Sequence, residues 1–200
     1  MNLLRKGDDM KKIIVLLGAS ATGKDTVAKH ISEKYNMPMA ISYTTRPMRS
    51  NETQGVEYYF ISDDEMHEKF KNGEVIEHTS YYIQSEDVSY TYANVAEEFE
   101  KGDYVLTILN PHGLYQFNKS QYKDNLVSIM LNCDDRVRLV RSLNRDENVN
   151  VNEVLDRFRR DELDFIERRP KTDYEIDTNK PLEEVFNNID RVIENILKGE

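Results

Sequence analysis

Lys24 closes the run Gly18-Ala19-Ser20-Ala21-Thr22-Gly23-Lys24, which fits G-x-x-x-x-G-K. Two glycines at this spacing let a backbone wrap closely around an anion, so that successive N–H groups point inward. The lysine then reaches the β- and γ-phosphates of a nucleoside triphosphate. The residue after the lysine in such loops is usually Ser or Thr, a neutral hydroxyl ligand for Mg²⁺; here it is Asp25, followed by Thr26. A carboxylate is a good hard-metal ligand. Beside phosphates it makes sense only with Mg²⁺ between them; read locally, it is a favourable acid in a first helical turn. The expected donor site is therefore Gly18 to Thr26, with ATP as donor, Mg²⁺ as cofactor and Asp25 as its ligand.

A second group of residues suits a second phosphate. Arg46 and Arg49 lie three apart in a polar, turn-rich stretch, and each carries a planar fork of donors. Tyr58 can add a neutral donor. Arg141 and Arg145 lie four apart on one helix face, and Arg157 follows on the next helix. Cations on a mobile helical pair would close over a transferring phosphoryl group and exclude water. The alternative is an exposed helix pair with i,i+4 ion pairs such as Arg157 with Asp161. Arg136, Arg138, Arg159 and Arg160 read as surface residues, and His112 as a loop residue rather than a base.

These clusters stand out against an acidic background. The formal charge is -10, yet nine of the thirteen arginines lie between Arg136 and Arg169. A general nucleic-acid binder needs a basic footprint, so nucleic acid is not expected as a partner. No apolar run approaches the roughly 20 residues of a membrane span. The start, MNLLRKGDDMKK, lacks the apolar segment and cleavage site of a signal peptide. Met10 is a second candidate start, and residues 1–9 then carry no fold information. Cys133 is the single cysteine, which excludes an internal disulfide and suits the cytoplasm; it reads as a half-buried strand-end thiol rather than a nucleophile.

The elements that must hold these residues alternate. Lys12–Leu17 is an apolar run bounded by Gly18, as in a strand buried on both faces. A helix follows over Gly23–Tyr35 and a short strand over Met39–Ser42. Strands at Tyr58–Ile61 and Val75–Glu77 flank a helix over 62–71 that Ser62 and Asp63 could cap. Tyr81–Tyr92 could be a hairpin and Val95–Lys101 a short helix. Strands at Tyr104–Leu109, Leu126–Leu131 and Asp173–Asp177 alternate with helices at Asp134–Asn144, Val151–Glu167 and Leu182–Leu197. The polar stretch Asp146–Asn150 could hinge. The pattern predicts an α/β fold with a parallel sheet covered by helices on both faces.

The stretch Ser42-Tyr43-Thr44-Thr45-Arg46-Pro47-Met48-Arg49-Ser50-Asn51-Glu52-Thr53-Gln54-Gly55-Val56-Glu57-Tyr58-Tyr59-Phe60 resembles the guanylate kinase signature S-x-T-T-R-x-x-R-x-x-E-x-x-G-x-x-Y-x-F at every fixed position. The resemblance runs from Met10 to the end. It implies a P-loop NTPase fold in one domain, with a core at about 10–42 and 94–200, an acceptor region at about 43–93 and a lid at about 138–160. It also implies ATP-dependent phosphorylation of GMP or dGMP. Arg46, Arg49 and Tyr58 would hold the acceptor phosphate, Ser42 and Glu77 the guanine, and Asn179 the adenine. A carboxylate suits guanine because N1–H and the N2 amino group are adjacent donors.

Two features depart from the family. Its Y-Y-G is absent; Tyr81, Tyr82, Tyr90 and Tyr92 are candidates for the second phosphate-binding tyrosine, with Tyr92 preferred. Its D-x-D-x-x-G becomes Ile108-Leu109-Asn110-Pro111-His112-Gly113, leaving Asn110 to accept one hydrogen bond without charge. Asp25 would then supply the missing carboxylate for hydrated Mg²⁺. Ribose 1,5-bisphosphate phosphokinases look similar, some with G-K-D, but match less of the acceptor stretch. Another (d)NMP or ribose 1,5-bisphosphate as acceptor, a non-enzymatic binding module, and an ATP-hydrolysing P-loop protein are the rival readings. A monomer or a homodimer is expected.

Overall fold

The first strand, β1 (Lys12–Leu17), is apolar after its first residue because helices cover both of its faces. The computed structural model describes residues 12–49, 52–83, 87–145, 149–167 and 169–199. The expectations for residues 1–9 and Met10, for Ser50 and Asn51, and for 146–148 of the hinge lie outside the described residues. Parallel pairing joins β1 to β6 (Tyr104–Ile108) on one side and to β7 (Leu126–Asn132) on the other; β8 (Tyr174–Asp177) extends the sheet beyond β7. Successive β1 side chains alternate between faces. Ile14 and Leu16 pack with Val27 and Ile31 of α1 (Lys24–Tyr35) and with Ile189 and Ile193 of α6 (Leu182–Lys198). Ile13, Val15 and Leu17 face Phe99, Leu114 and Phe117 instead. Full burial of one such aliphatic side chain is worth about 1.5–3 kcal/mol, so this layer anchors everything attached to it. Asp190, at 9% exposure, ties α6 to α1 through His30, Lys34 and Tyr35.

Between α1 and β6 the chain builds a second, mostly antiparallel sheet in the order β3-β2-β5-β4. Its strands are β2 (Tyr43–Thr44), β3 (Tyr59–Phe60), β4 (Val75–Ile83) and β5 (Val88–Val95). Its core is small: Tyr43, Met66, Ala93 and Val95. Helix α2 (Asp63–Lys71) starts with a capping box, in which Ser62 Oγ accepts the Glu65 N–H while the Glu65 carboxylate accepts the Ser62 N–H. The chain then returns through a 3₁₀ turn at Ala96–Glu100, followed by β6, α3 (Pro111–Phe117), β7, α4 (Asp135–Leu143) and α5 (Val151–Glu167).

Most expected elements are present, with informative differences. Met39–Ser42 is not a strand; Met39 makes one isolated parallel bridge to Leu106, and the strand begins at Tyr43. Pairing with β5 carries β4 well past Glu77, to Ile83, so the expected hairpin is larger than Tyr81–Tyr92. The expected helix at Val95–Lys101 is a single 3₁₀ stretch, because Val95 is still paired to Val75. Helix α3 was not expected: its start is set by Asn110 as N-cap and Pro111 in the first turn, a pair of start signals hidden inside what reads as a loop. Cys133 is half-buried, as expected. Among the described residues no helix is long and apolar enough to cross a membrane.

Candidate active site

The loop between β1 and α1 is held open by its own backbone. A Cβ at Gly18 would sit 2.6 Å from Thr22 Oγ1 and 2.8 Å from the Leu131 carbonyl oxygen, so only glycine fits there. Gly23 has φ 95°, a left-handed conformation that glycine adopts without strain, and leads directly into α1. The free N–H groups of that first turn and the helix dipole both favour an anion. Thr22 Oγ1 donates to the Ala19 carbonyl at 2.9 Å. Lys24 Nζ folds back onto the carbonyls of Gly18 (2.8 Å) and Ala19 (3.0 Å). Burial pulls its pKa down, while Asp25 and Asp161 act the other way. Asp25 and Thr26 are exposed on α1. Among the described residues no three His, Cys, Asp or Glu side chains converge, so a divalent ion at Asp25 would complete its shell with water and phosphate oxygens.

The opposite wall of the loop comes from α4 and α5. Arg138 is a correction: it is not a surface residue but 7% exposed. Its Nε donates to the Ser20 carbonyl at 2.8 Å, one amino group reaches Asp135 at 2.6 Å, and the other pairs with Asp161. The Phe158 ring lies 4.4 Å from its guanidinium carbon. Asp161 in turn accepts the Ser20 N–H at 2.8 Å and the Ser20 hydroxyl at 3.2 Å. The Arg157–Asp161 pair of the alternative reading is not formed: Asp161 faces the loop, and Arg157 pairs with Glu153 one turn earlier.

Of the other arginines expected here, Arg141 reaches the site. It donates to the Thr178 carbonyl at 2.7 Å and, at 3.5 Å, to the Ala21 carbonyl. Arg145 is exposed beyond the end of α4. Asn179 braces the strand ends: its carbonyl accepts the Asp134 N–H at 2.9 Å and its amide donates to Asp177 at 2.8 Å.

The second sheet gathers the acceptor candidates. Arg46 directs both amino groups at Glu52 and lies over the rings of Tyr58 (5.2 Å) and Phe60 (5.1 Å). This pair holds the Glu52 carboxyl down at about 2. Arg49 is exposed, with its N–H on the same carboxylate at 2.8 Å. Tyr92 lies edge-on to Tyr58 at 5.6 Å and to Tyr81 at 5.7 Å. Tyr82 points elsewhere, to Asp87. Tyr58 is raised in pKa by burial and so stays a neutral donor.

Behind this cluster lies a buried polar chain. Glu77 is 7% exposed, and Asn94 donates to its carboxylate at 2.6 Å. Ser42 in turn donates to the Asn94 carbonyl at 3.0 Å. Burial pushes the Glu77 carboxyl up to about 7, against the hydrogen bond from Asn94. Asn110 sits nearby, with its oxygen and a Glu77 oxygen both beside Gly113. Its carbonyl accepts the Gly113 N–H at 2.7 Å as the cap of α3.

With this geometry in hand, the chain can be compared with known proteins. The guanylate kinase family model matches residues 10–196. The guanylate kinase of Fusobacterium nucleatum is 30% identical over 192 residues, covering 93% of this chain and 97% of that one. The chain belongs to the guanylate kinase family. The guanylate kinase of Clostridium tetani is 33% identical over 119 residues, 60% of this chain and 56% of that one. The crystal structure of guanylate kinase from Anaplasma phagocytophilum matches with a TM-score of 0.62 at 22% identity, covering 95% of this chain and 86% of that one, which shows the fold.

Arg138 and Asp161 come from separate helices and lie 23 positions apart, so no local spacing announces them. Asn94 carries one local signal. It follows Tyr92 by two, placing both on the same side of a strand if the hairpin is extended to Val95.

Proposed function

We propose that this chain transfers the γ-phosphoryl group of ATP to GMP or dGMP, giving ADP and the nucleoside diphosphate, in the cytoplasm. The observation that carries this reading is the pairing of two phosphate-sized cradles in one chain. One is the Gly18–Lys24 loop. The other is Arg46 with Tyr58 and Tyr92, backed by the buried Glu77–Asn94–Ser42 chain. The Glu77 carboxylate would accept from guanine N1–H and N2, with Ser42 beside it. Arg46, Arg49, Tyr58 and Tyr92 would hold the acceptor phosphate in line with the γ-phosphorus. An oxygen of that phosphate attacks, and the bond from the γ-phosphorus to the ADP oxygen breaks. The acceptor is already ionised at neutral pH, so no general base is needed, and positioning with charge stabilisation does the work. Lys24 and Arg141, with Arg145 and Arg157 brought in by the lid, would share the transition-state charge. Mg²⁺, held by Asp25 directly or through water, would neutralise the β- and γ-phosphates. Asn179 would border the adenine. The core at 10–42 and 94–200, the acceptor region at 43–93 and the lid at 138–160 would act as one catalytic domain.

Asn110 favours a second reading, a related acceptor. Its carbonyl caps α3 and it carries no charge, so guanine would be read chiefly by Glu77. The test is ADP release from Mg-ATP alone, then with each NMP, each dNMP and ribose 1,5-bisphosphate. Release that depends on GMP or dGMP supports the first reading. Dependence on another acceptor supports the second, and none with any acceptor leaves only a binding module.

A further inference from the structure

The phosphate loop already holds an anion: a carboxylate of this chain. Ser20 lies inside G-x-x-x-x-G-K, and its N–H donates to Asp161, 141 positions away on α5. Asp161 adds a second contact through the Ser20 hydroxyl. Arg138 closes the arrangement from α4, with Nε on the Ser20 carbonyl and an amino group on Asp161. Phe158, one turn before Asp161 on α5, covers the guanidinium. Arg138 and Asp161 are 8% and 15% exposed at their side chains, so water competes little for these bonds. The carboxylate also lies close enough to Lys24 to favour its charged form.

We infer that Asp161 is an internal stand-in for a nucleotide phosphate and that triphosphate binding must displace it. This inference rests on the phosphate-loop part of the proposed function. A carboxylate and an incoming phosphate compete for the same N–H and repel each other as like charges. Displacement has a second consequence. It strips Arg138 of one of its two acidic partners while the Ser20 carbonyl and Asp135 still hold the guanidinium beside the loop. Arg138 then becomes a phosphate-facing cation. Because Asp161 and Phe158 share α5 with Arg157, release would also remove one of the ties on the helix that carries the lid arginine. Asp161 is thus a positioning residue that sets nucleotide affinity and couples it to lid movement. An ordinary interhelical ion pair would join Arg138 to Asp161 without using a loop N–H.

The test is calorimetric titration of the full chain with Mg-ATP and, separately, with inorganic tripolyphosphate. The proteins are wild type, Asp161→Ala, Asp161→Asn and Arg138→Met. Asn keeps the shape and an acceptor for Ser20 N–H while removing the charge, so it remains informative if Ala disturbs packing. Hydrogen bonds to charged groups are worth enough that both Asp161 variants are expected to bind each ligand about tenfold more tightly, and Arg138→Met more weakly. Gain with tripolyphosphate places the competition at the phosphates and not at the base. Equal or weaker binding by the folded Asp161 variants overturns the inference alone. Failure of every protein, wild type included, to bind ATP overturns the phosphate-loop reading as well.

Discussion

In the proposed reaction the two sheets each hold a phosphate, with opposite materials. The parallel sheet presents its anion site as backbone: N–H groups of the Gly18–Lys24 loop, fixed by a glycine pressed against Leu131 and by a buried strand beneath. The second sheet presents side chains: Arg46 steadied by Glu52, tyrosines packed edge to edge, and a buried Glu77 held by Asn94. Among the described residues its cluster of buried apolar side chains has four members, against fifteen in the larger cluster around β1. A backbone cradle on a rigid layer recognises what every nucleoside triphosphate shares. A side-chain cradle on a thinner layer can be retuned one residue at a time.

Substitutions on the two sides should therefore fail differently. The largest effect is expected at Lys24. Lys24→Ala should lower the turnover of phosphoryl transfer by about a thousandfold, as loss of a transition-state cation does, with GMP affinity unchanged; a parallel loss of GMP affinity would break the division between the sheets. Next comes Arg46→Ala, which removes a charged fork from the acceptor phosphate and should raise KM for GMP about a hundredfold while leaving KM for ATP near wild type.

Glu77 sharpens the comparison through pH. Its carboxyl sits at about 7 in the folded chain against an ordinary 4.5. Between those values the folded state holds more protons than the unfolded one, so this group's contribution to stability is full below 4.5 and is lost as pH rises through about 7. Guanine needs the ionised form, so GMP affinity should improve over the same rise. Glu77→Gln should weaken GMP binding about tenfold at pH 8 and leave only the pH dependence of the GMP phosphate itself; calorimetry of wild type and variant at several pH values reads both. The smallest effect is expected at Asp25. Asp25→Ala should raise the Mg²⁺ concentration for half-maximal rate by a few-fold, as loss of one ligand to a hydrated ion would; a titration curve that superimposes on wild type would remove Asp25 from the metal site.

Much of this division was legible in the sequence. An uninterrupted apolar run ending at Gly18 announces a strand covered on both faces, and the loop motif follows it directly. The arginine and tyrosine spacing of the acceptor stretch was equally plain. What escaped is what long-range packing decides. Arg138 reads as one more cation on a polar helix until Asp161 arrives from α5 to bury it. Asn110 reads as a loop residue until its carbonyl is seen capping α3. The strand β4 outruns its apparent end at Glu77 because pairing with β5, not local propensity, sets its length.

The central claim is that the two cradles serve one transfer. Phosphorus-31 NMR of the full chain with Mg-ATP and GMP follows it directly, with Lys24→Ala as control. The account predicts GDP and ADP appearing in equal amounts, no inorganic phosphate, and loss of both products in the variant. ADP accompanied by inorganic phosphate in place of GDP would contradict it.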